Sequence, residues 1–164
     1  MKRLFIACFA ICSFLCINSV NAESDSSALR VSLLTCTPGA ELYSVFGHSA
    51  LRVVDSAAGT DIVYNYGTFD FNDPDFYTKF VRGKLLYFVS QMNYADFLFE
   101  YQYFKRDVDE QILNLSEAEK EKWRQALSEN MIGNNRYYLY NFIYDHCTTR
   151  IKDGLFNHAQ VHPT

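Results

Sequence analysis

The sequence is poor in cysteine once its amino-terminal leader is set aside. Of the five cysteines in 164 residues, three lie within the first 22 residues, and only Cys36 and Cys147 remain. Two thiols allow at most one disulfide. In an oxidising compartment a Cys36–Cys147 disulfide is one interpretation, and two free thiols are the other.

The sequence also has little positive charge and, beyond the leader, no long hydrophobic run. Loss of Lys2 and Arg3 with the leader takes the formal net charge from −4 to −6. No basic stripe remains, so we expect no nucleic-acid partner. No later stretch reaches the about 18 apolar residues of a transmembrane helix, and no internal repeat or low-complexity segment is present.

The leader itself has the pattern of an export signal. Lys2 and Arg3 precede an apolar stretch over residues 4–17, which is too short to span a bilayer, and Val20-Asn21-Ala22 supplies small residues around a cleavage site. We therefore predict a signal peptide over residues 1–22 and a single exported domain over residues 23–164.

Aromatic residues are abundant. The chain has 14 Phe and 12 Tyr, many of them clustered in residues 97–104 and 137–144. Aromatic side chains bury large areas, so core packing is the favoured interpretation. A surplus of this size is also suited to lining an apolar groove for acyl chains.

Hydrophobic patterning and turn signals predict a mixed architecture. Strands are predicted at 29–34, 48–54, 61–66, 85–90 and 108–115. Helices are predicted as one turn at 41–46, a short helix opened by Asn72-Asp73-Pro74, helices at 94–104 and 117–130, and a last helix that begins at Cys147. Strands and helices alternate without a strict βαβ rhythm, so we expect an α+β fold.

Two segments about a hundred residues apart carry chemistry. One places His48 at the start of a strand, and the other places Cys147 where a helix begins. A helix N-terminus stabilises a thiolate, and a histidine brought beside it by the fold serves as its base. Asn65 is the only side-chain amide on the partner strand, so it is the candidate for fixing the imidazole tautomer.

Three further residues are candidates for substrate binding. Glu41 and Tyr43 come just before His48 and are predicted to line the cleft, although Glu41 is equally suited to an exposed turn. Arg150 follows Cys147 by three residues and is suited either to a lipid phosphate or to helix packing.

The sequence resembles the Lnb N-terminal periplasmic domain family. The resemblance is carried by Leu33-Leu34-Thr35-Cys36, by Glu41-Leu42-Tyr43-Ser44-Val45-Phe46-Gly47-His48-Ser49-Ala50, by Val63-Tyr64-Asn65-Tyr66-Gly67-Thr68-Phe69 and by Cys147-Thr148-Thr149-Arg150. It implies a circularly permuted papain-like (NlpC-type) fold, with a short antiparallel sheet and flanking helices, of the kind that lecithin–retinol acyltransferases share. It also implies that Cys147 is the nucleophile, His48 the base and Asn65 the orienting residue.

The resemblance implies an activity as well. The expected reaction moves a fatty acyl chain from a phospholipid donor to the N-terminal amine of a lipoprotein acceptor, through a thioester on Cys147 and with no cofactor or metal. Relatives carry membrane segments further along the chain, so we expect a periplasmic fragment of a longer protein associated with the inner membrane. The aromatic segments 97–104 and 137–144 are the candidates for a rim that contacts the membrane surface.

Other functions remain open at this point. The same Cys-His-polar combination serves cysteine peptidases and amidases that act on cell-wall peptides, and a non-catalytic envelope binding domain is a third class. A transferase requires an apolar groove beside Cys147, whereas a peptidase requires a polar cleft. A zinc site formed by Cys36, His48, His146 and Cys147 lacks the short paired spacing of structural zinc sites.

Overall fold

A six-stranded antiparallel sheet organises the part of the chain that the computed structural model describes, residues 28–158. The predicted signal peptide and the last six residues lie outside this range. The strands are β1 (Leu29–Cys36), β2 (His48–Asp55), β3 (Thr60–Phe69), β4 (Leu86–Asn93), β5 (Val108–Ile112) and β6 (Tyr137–Leu139). Their order across the sheet is β5-β1-β2-β3-β4-β6.

Four α-helices complete the described fold. They are α1 (Phe76–Val81), α2 (Tyr94–Tyr103), α3 (Glu117–Asn130) and α4 (Cys147–His158), with a single 3-10 turn at Gly133–Arg136. The predicted α+β class is therefore confirmed. Ser116 and Glu119 form the predicted capping box at the start of α3, which satisfies backbone N–H groups that a helix terminus leaves without partners.

Helices α3 and α4 cover one face of the sheet. Leu51 and Val53 of β2 point to this face and pack in one buried cluster with Trp123 of α3 and Ile151 of α4. Gly154 allows α4 to approach closely, because a Cβ at that position would lie 2.4 Å from the Trp123 ring. This packing fixes the axis of α4 and therefore the position of its first residue.

Helix α2 covers the opposite face. Ala50 precedes Leu51 in β2 and so points to the opposite face of the sheet. Together with Val63 of β3 it packs against Phe97 and Tyr101 of α2. Arg52 also lies on this face, where it forms ion pairs with Asp61 and Glu110 and stacks over the Tyr94 ring. Because both faces of β2 are covered, its central residues are buried on both sides.

A third, aromatic cluster fills the end of the sheet near β4 and β6. Phe76 and Phe80 of α1 pack there with Leu85, Tyr87 and Tyr138. Many of the aromatic side chains therefore pack in the core, as predicted from the sequence. None of the helices within residues 28–158 combines the length and the apolar composition needed to cross a bilayer.

Several local expectations differ from the structure. The strand predicted at 108–115 ends at Ile112, and the helix predicted to open at Asn72-Asp73-Pro74 begins at Phe76 after turns. Residues 41–46 form consecutive turns and not a helical turn, because the Gly39 N–H donates to the Ser44 carbonyl at 2.9 Å and closes the segment into a loop. Strand β3 runs on to Phe69, beyond the predicted end at Tyr66, with an irregularity in its pairing to β4 between Asn65 and Thr68.

Candidate active site

Cys147 is the first residue of α4, as predicted. The N-terminus of the helix is held by Thr149, whose hydroxyl accepts from the His146 N–H at 2.8 Å and donates to the His146 carbonyl at 2.9 Å. A second contact joins the helix to the sheet, since the hydroxyls of Ser49 and Thr148 lie 3.1 Å apart. The thiol is therefore held against the start of β2.

The environment of Cys147 favours the thiolate. Burial alone would raise the pKa of this thiol, but hydrogen bonding and charge from His48, the Ser49 backbone N–H and the Thr148 hydroxyl together lower it to about 6. A nucleophilic cysteine requires a depressed pKa of this kind. At neutral pH the thiol is thus mostly ionised.

His48 meets Cys147 at the end of the sheet, although the two residues come from opposite faces. His48 shares its strand face with Ala50, which packs under α2, whereas Cys147 belongs to the cluster under α3 and α4. The His48 ring is close enough to Cys147 to lower the pKa of the thiol, while its Nε2 atom is buried and meets the distance and angle criteria for a hydrogen bond with none of the described residues. Catalytic hydrogen bonds are often long before substrate binds, so this nitrogen remains available for proton transfer.

The Nδ1 edge of His48 rests against Gly67. A Cβ built on Gly67 would lie 2.5 Å from His48 Cε1 and 3.0 Å from Nδ1. Asn65 Oδ1 lies 3.2 Å from the same point and accepts the Gly67 backbone N–H at 2.7 Å. The structure thus brings His48 and Asn65 together through Gly67, and no direct hydrogen bond joins the two side chains in the described part of the chain.

Cys36 is the register partner of His48 on the neighbouring strand β1. Both Cys36 and Cys147 are free thiols, so the alternative of a disulfide between them is not found. Burial raises the pKa of Cys36 to about 11, despite hydrogen bonding from Tyr101 and the nearby charge of Arg106. The two thiols therefore differ strongly in acidity, and only Cys147 is suited to nucleophilic attack.

An apolar groove opens beside the thiol. It has a volume of about 560 Å³, and Cys147, His48 and His146 lie on its wall. The rest of the wall is mainly hydrophobic, supplied by Leu42, Val45, Phe46, Phe80, Val81 and Phe142. Within residues 28–158 no cluster of three or more His, Cys, Asp or Glu side chains is arranged to hold a metal ion.

A second cavity of about 480 Å³ lies on the other side of His48. His48 and Gly47 line both cavities, whereas Cys147 lines only the apolar groove. The second cavity has a more polar wall, with Glu41, Tyr43, Asn65, Ser90, Glu100 and Arg106. Glu41 and Tyr43 thus line a cavity next to His48, but it is not the one that contains the thiol.

Arg150 lies away from both cavities. Its guanidinium binds the Asp145 carboxylate through two hydrogen bonds of 2.6 and 2.7 Å and stacks over the Tyr138 ring. The structure therefore places Arg150 in contacts that hold the start of α4 against Asp145 and Tyr138. Its contact with a lipid phosphate stays a prediction.

Three features of the site carried no clear signal in the sequence. The Ser49–Thr148 contact couples residues 99 positions apart. A glycine is needed at position 67 because the His48 ring, which is close in space but not in sequence, leaves no room for a Cβ. No local sequence pattern indicates this requirement. His146 lines the groove beside the thiol. In the sequence, only its position directly before Cys147 indicates that it lies near the site.

Comparison with known proteins identifies the family of this chain. No curated protein and no solved structure matches the chain at a significant level. One family profile, described as the Lnb N-terminal periplasmic domain, matches residues 18–162 and so includes every residue of the site. The chain belongs to the Lnb N-terminal periplasmic domain family.

Proposed function

We propose that this periplasmic domain is a thiol-dependent acyltransferase that moves a fatty acyl chain from a phospholipid to the N-terminal amine of a lipoprotein. The observation that carries the proposal is the position of an acidic thiol, Cys147, on the wall of a hydrophobic groove. A thiolate is the reactive form of cysteine. An apolar groove binds an acyl chain through the hydrophobic effect.

In the first half of the reaction the Cys147 thiolate attacks the carbonyl carbon of a phospholipid ester. A C–S bond forms, and the C–O bond to the glycerol oxygen breaks. The departing alkoxide needs a proton, which His48 supplies as general acid. The products are an acyl thioester on Cys147 and a lysophospholipid.

The start of α4 supplies stabilisation for the oxyanion that forms on the carbonyl oxygen when the thiolate attacks. The first backbone N–H groups of a helix have no acceptor within the helix, and α4 begins at the nucleophile itself. Their partial positive charge lies where negative charge develops, which is the arrangement of an oxyanion hole. His146 on the groove wall is a further potential donor.

In the second half an amine attacks the thioester carbonyl. The C–S bond breaks, Cys147 leaves as thiolate, and His48 takes the proton that the amine loses. We assign the approach of the amine to the second cavity, because His48 lines it and its wall has two carboxylates, Glu41 and Glu100, against one cation, Arg106. The cavity thus attracts the ammonium form, which releases one proton to solvent before the neutral amine attacks. Neither carboxylate forms an ion pair with another described residue.

The finer fold relationship is part of the same proposal. A base His on one strand, Asn65 on the adjacent strand and a later helix headed by Cys147 support kinship with the permuted papain-like fold. The alternative that this fold permits is a cysteine peptidase or amidase. The polar second cavity is the observation that favours it.

The test is intact-mass spectrometry of the purified protein after incubation with phospholipid vesicles. We expect a mass increase of one acyl chain on Cys147, labile to hydroxylamine, that is lost in Cys147→Ala and kept in Cys36→Ala. Addition of a peptide with a diacylglyceryl-cysteine N-terminus should discharge the adduct and yield the N-acylated peptide.

The other outcomes separate the alternatives. Release of free fatty acid at the same rate with and without the peptide would identify a hydrolase. Absence of any adduct, together with cleavage of cell-wall peptides that depends on Cys147, would identify a peptidase. Absence of both reactions would support a binding domain.

A further inference from the structure

Large apolar side chains on the groove wall, and two that follow Phe142 along the chain, are exposed to solvent. We call this set the apolar rim: Leu42, Val45, Phe46, Val81 and Phe142 line the groove, and Ile143 and Tyr144 continue the turn that holds Phe142. The most exposed are Phe46 at 80%, Tyr144 at 78% and Ile143 at 72% of their surface. Scattered surface hydrophobics are ordinary, whereas a contiguous set around a binding cleft indicates a contact surface.

The rim is formed by turns that the fold holds in place. Asn141 Oδ1 accepts from the N–H groups of Ile143 at 2.9 Å and Tyr144 at 3.0 Å, and the Asn141 and Asp145 backbones are paired. Phe142 follows Asn141 within this turn and points toward the groove, where the centroid of its ring lies 5.9 Å from that of Phe46. Ile143 and Tyr144 are thus presented at the tip of a tight, hydrogen-bonded turn.

The charges around the rim are favourable for an anionic surface. Arg82 and Lys84 are exposed, form no ion pair with other described residues, and belong to a segment that runs beside Tyr140 through a contact at Gly83. The nearest carboxylate on the tip, Asp145, is neutralised by Arg150.

Two more carboxylates lie on the α1 side of the rim. Asp73 is paired with Lys79, and Asp75 lies at the opposite end of α1 from Arg82. Glu41, the chain neighbour of the rim residue Leu42, is an exposed carboxylate that lines the second cavity. The cationic flank of the rim is therefore the side formed by Arg82 and Lys84, although the whole chain has a formal charge of −4.

We propose that the apolar rim docks on the surface of a phospholipid bilayer, so that the groove opens directly onto the acyl chains. The inference rests on the proposed function, because it names the surface from which the donor enters. Aliphatic and tyrosine side chains on protruding turns, next to unpaired cations, match the interface of a bilayer with anionic lipids. A flat protein partner would fit such separate turns less well.

The chain offers a matched control for this surface. Phe99 and Tyr103 are exposed to a similar extent, 69% and 73%, but lie on α2 on the other side of the sheet. Of the two aromatic segments expected to form a rim, only residues 137–144 reach the groove mouth; Phe104 of the other segment lines the second cavity. Equal changes at the two surfaces therefore separate a specific docking site from general hydrophobicity.

The experiment is co-sedimentation of the exported protein with vesicles of phosphatidylethanolamine and phosphatidylglycerol. We compare the wild type with Ile143→Ser/Tyr144→Ser and with Phe99→Ser/Tyr103→Ser, after thermal unfolding has shown that all three fold. We expect the rim variant to lose at least tenfold in vesicle partitioning and the α2 variant to change less than twofold. Equal binding by all three, or equal loss in both variants, would overturn the proposal.

Two further measurements make the outcome specific. Sedimentation velocity without vesicles should show the same mass for all three proteins; a dimer that the rim variant abolishes would make the rim a self-association surface and overturn the proposal. Acylation of Cys147 by a short-chain phospholipid below its critical micelle concentration should be unchanged in the rim variant, and acylation from vesicles should fall. Equal loss with both donors would also contradict the docking role.

Failure of the proposed chemistry has a different signature. Cys147→Ala should bind vesicles as the wild type does, because Cys147 is not part of the rim. If vesicle binding depends on Ile143 and Tyr144 while no acyl adduct forms in any protein, the docking surface stands and the acyltransferase function falls.

Discussion

Gly67 lies against the imidazole of His48 so closely that a single added methyl group would approach Cε1 to 2.5 Å. The Gly67 backbone therefore limits where the imidazole ring can lie, and Asn65 fixes that backbone by accepting the Gly67 N–H at 2.7 Å. The orientation of the candidate base thus depends on backbone packing at the irregularity in β3 and on the Asn65–Gly67 hydrogen bond.

Gly67→Ala should reduce acyl transfer strongly. Because the new Cβ cannot coexist with His48 in its present position, the imidazole must leave the position in which it contacts the thiol. A displacement of about 1 Å in a catalytic group costs on the order of 100-fold in rate. The measurement is the rate of adduct formation on Cys147, with the thermal unfolding temperature recorded alongside.

Gly59→Ala is the matched control for this prediction. Gly59 has a φ of 67° in the turn between β2 and β3, and a Cβ there would meet no atom within 4 Å, so the change should lower stability through backbone strain without changing the pH dependence of Cys147 alkylation. If Gly67→Ala alters only stability, as the control does, the contact with His48 has no role in catalysis.

The two cysteines should differ in reactivity over a wide pH range. The pKa of Cys147 is lowered to about 6 and that of Cys36 is raised to about 11, so iodoacetamide at pH 7 should modify Cys147 almost alone. His48→Ala should move the Cys147 profile upward, because burial then acts without the compensating imidazole. Peptide mass spectrometry gives both rates, and equal rates at pH 7 would contradict the catalytic assignment.

The free energy of unfolding should rise from about pH 6 to pH 9 because of the Cys147 thiol. The pKa of Cys147 is lower in the folded protein than its ordinary value of 9.0, so the unfolded chain binds more protons in this window. The stabilisation that the ionised thiol contributes is complete above pH 9 and is lost as the pH falls through 6. The free energy of unfolding should change by at most about 1.4 kcal/mol per pH unit in this window.

Urea unfolding at several pH values measures this slope. Cys147→Ala should flatten it, while Cys36→Ala should leave it unchanged in that window because the pKa of Cys36 lies higher. A wild-type curve that is already flat from pH 6 to 9 would mean that the thiol is not ionised in the folded protein.

Asn65→Ala should impair turnover more than folding. Loss of one partly buried hydrogen bond to Gly67 costs about 1 kcal/mol of stability, but it frees the segment against which His48 rests. General acid–base catalysis contributes roughly 100-fold or more, so a misplaced base should lower turnover by at least about tenfold.

Asn65→Asp and Tyr64→Phe test the reason for that loss. Asp keeps an acceptor for the Gly67 N–H and should restore much of the activity. Tyr64 points to the α3 and α4 face, so its hydroxyl should matter little to turnover. Comparable damage from Tyr64→Phe and Asn65→Ala would show that the face assignment of β3 is wrong.

Leu42→Trp should change the length of the acyl chain that the proposed groove accepts. Leu42 lines the groove and is partly exposed, so a larger side chain there narrows the groove with little disturbance of the core. We expect adducts on Cys147 from mixed-chain phospholipids to shift toward shorter chains by several-fold, as measured by mass spectrometry. An unchanged adduct profile would place the acyl chain outside this groove.

The sequence by itself determined the elements that depend on local chemistry. Period-two alternation over residues 48–54 identified the strand that the structure shows as His48–Asp55, the Ser116–Glu119 capping box identified the start of α3, and Cys147 was correctly placed at a helix start. These features depend on a few neighbouring residues, whose preferences act in the unfolded chain as well as in the folded one. The α+β class followed from the same patterns.

Only the tertiary structure decided which side chains share a cavity. Glu41 and Tyr43 are neighbours of His48 in sequence, yet they line the cavity away from the thiol, and Arg150 binds Asp145 instead of facing either cavity. Likewise nothing near Gly67 in sequence reveals that His48 requires its missing side chain. Such contacts join residues brought together by packing on two faces of one sheet, and local propensity contains no information about them.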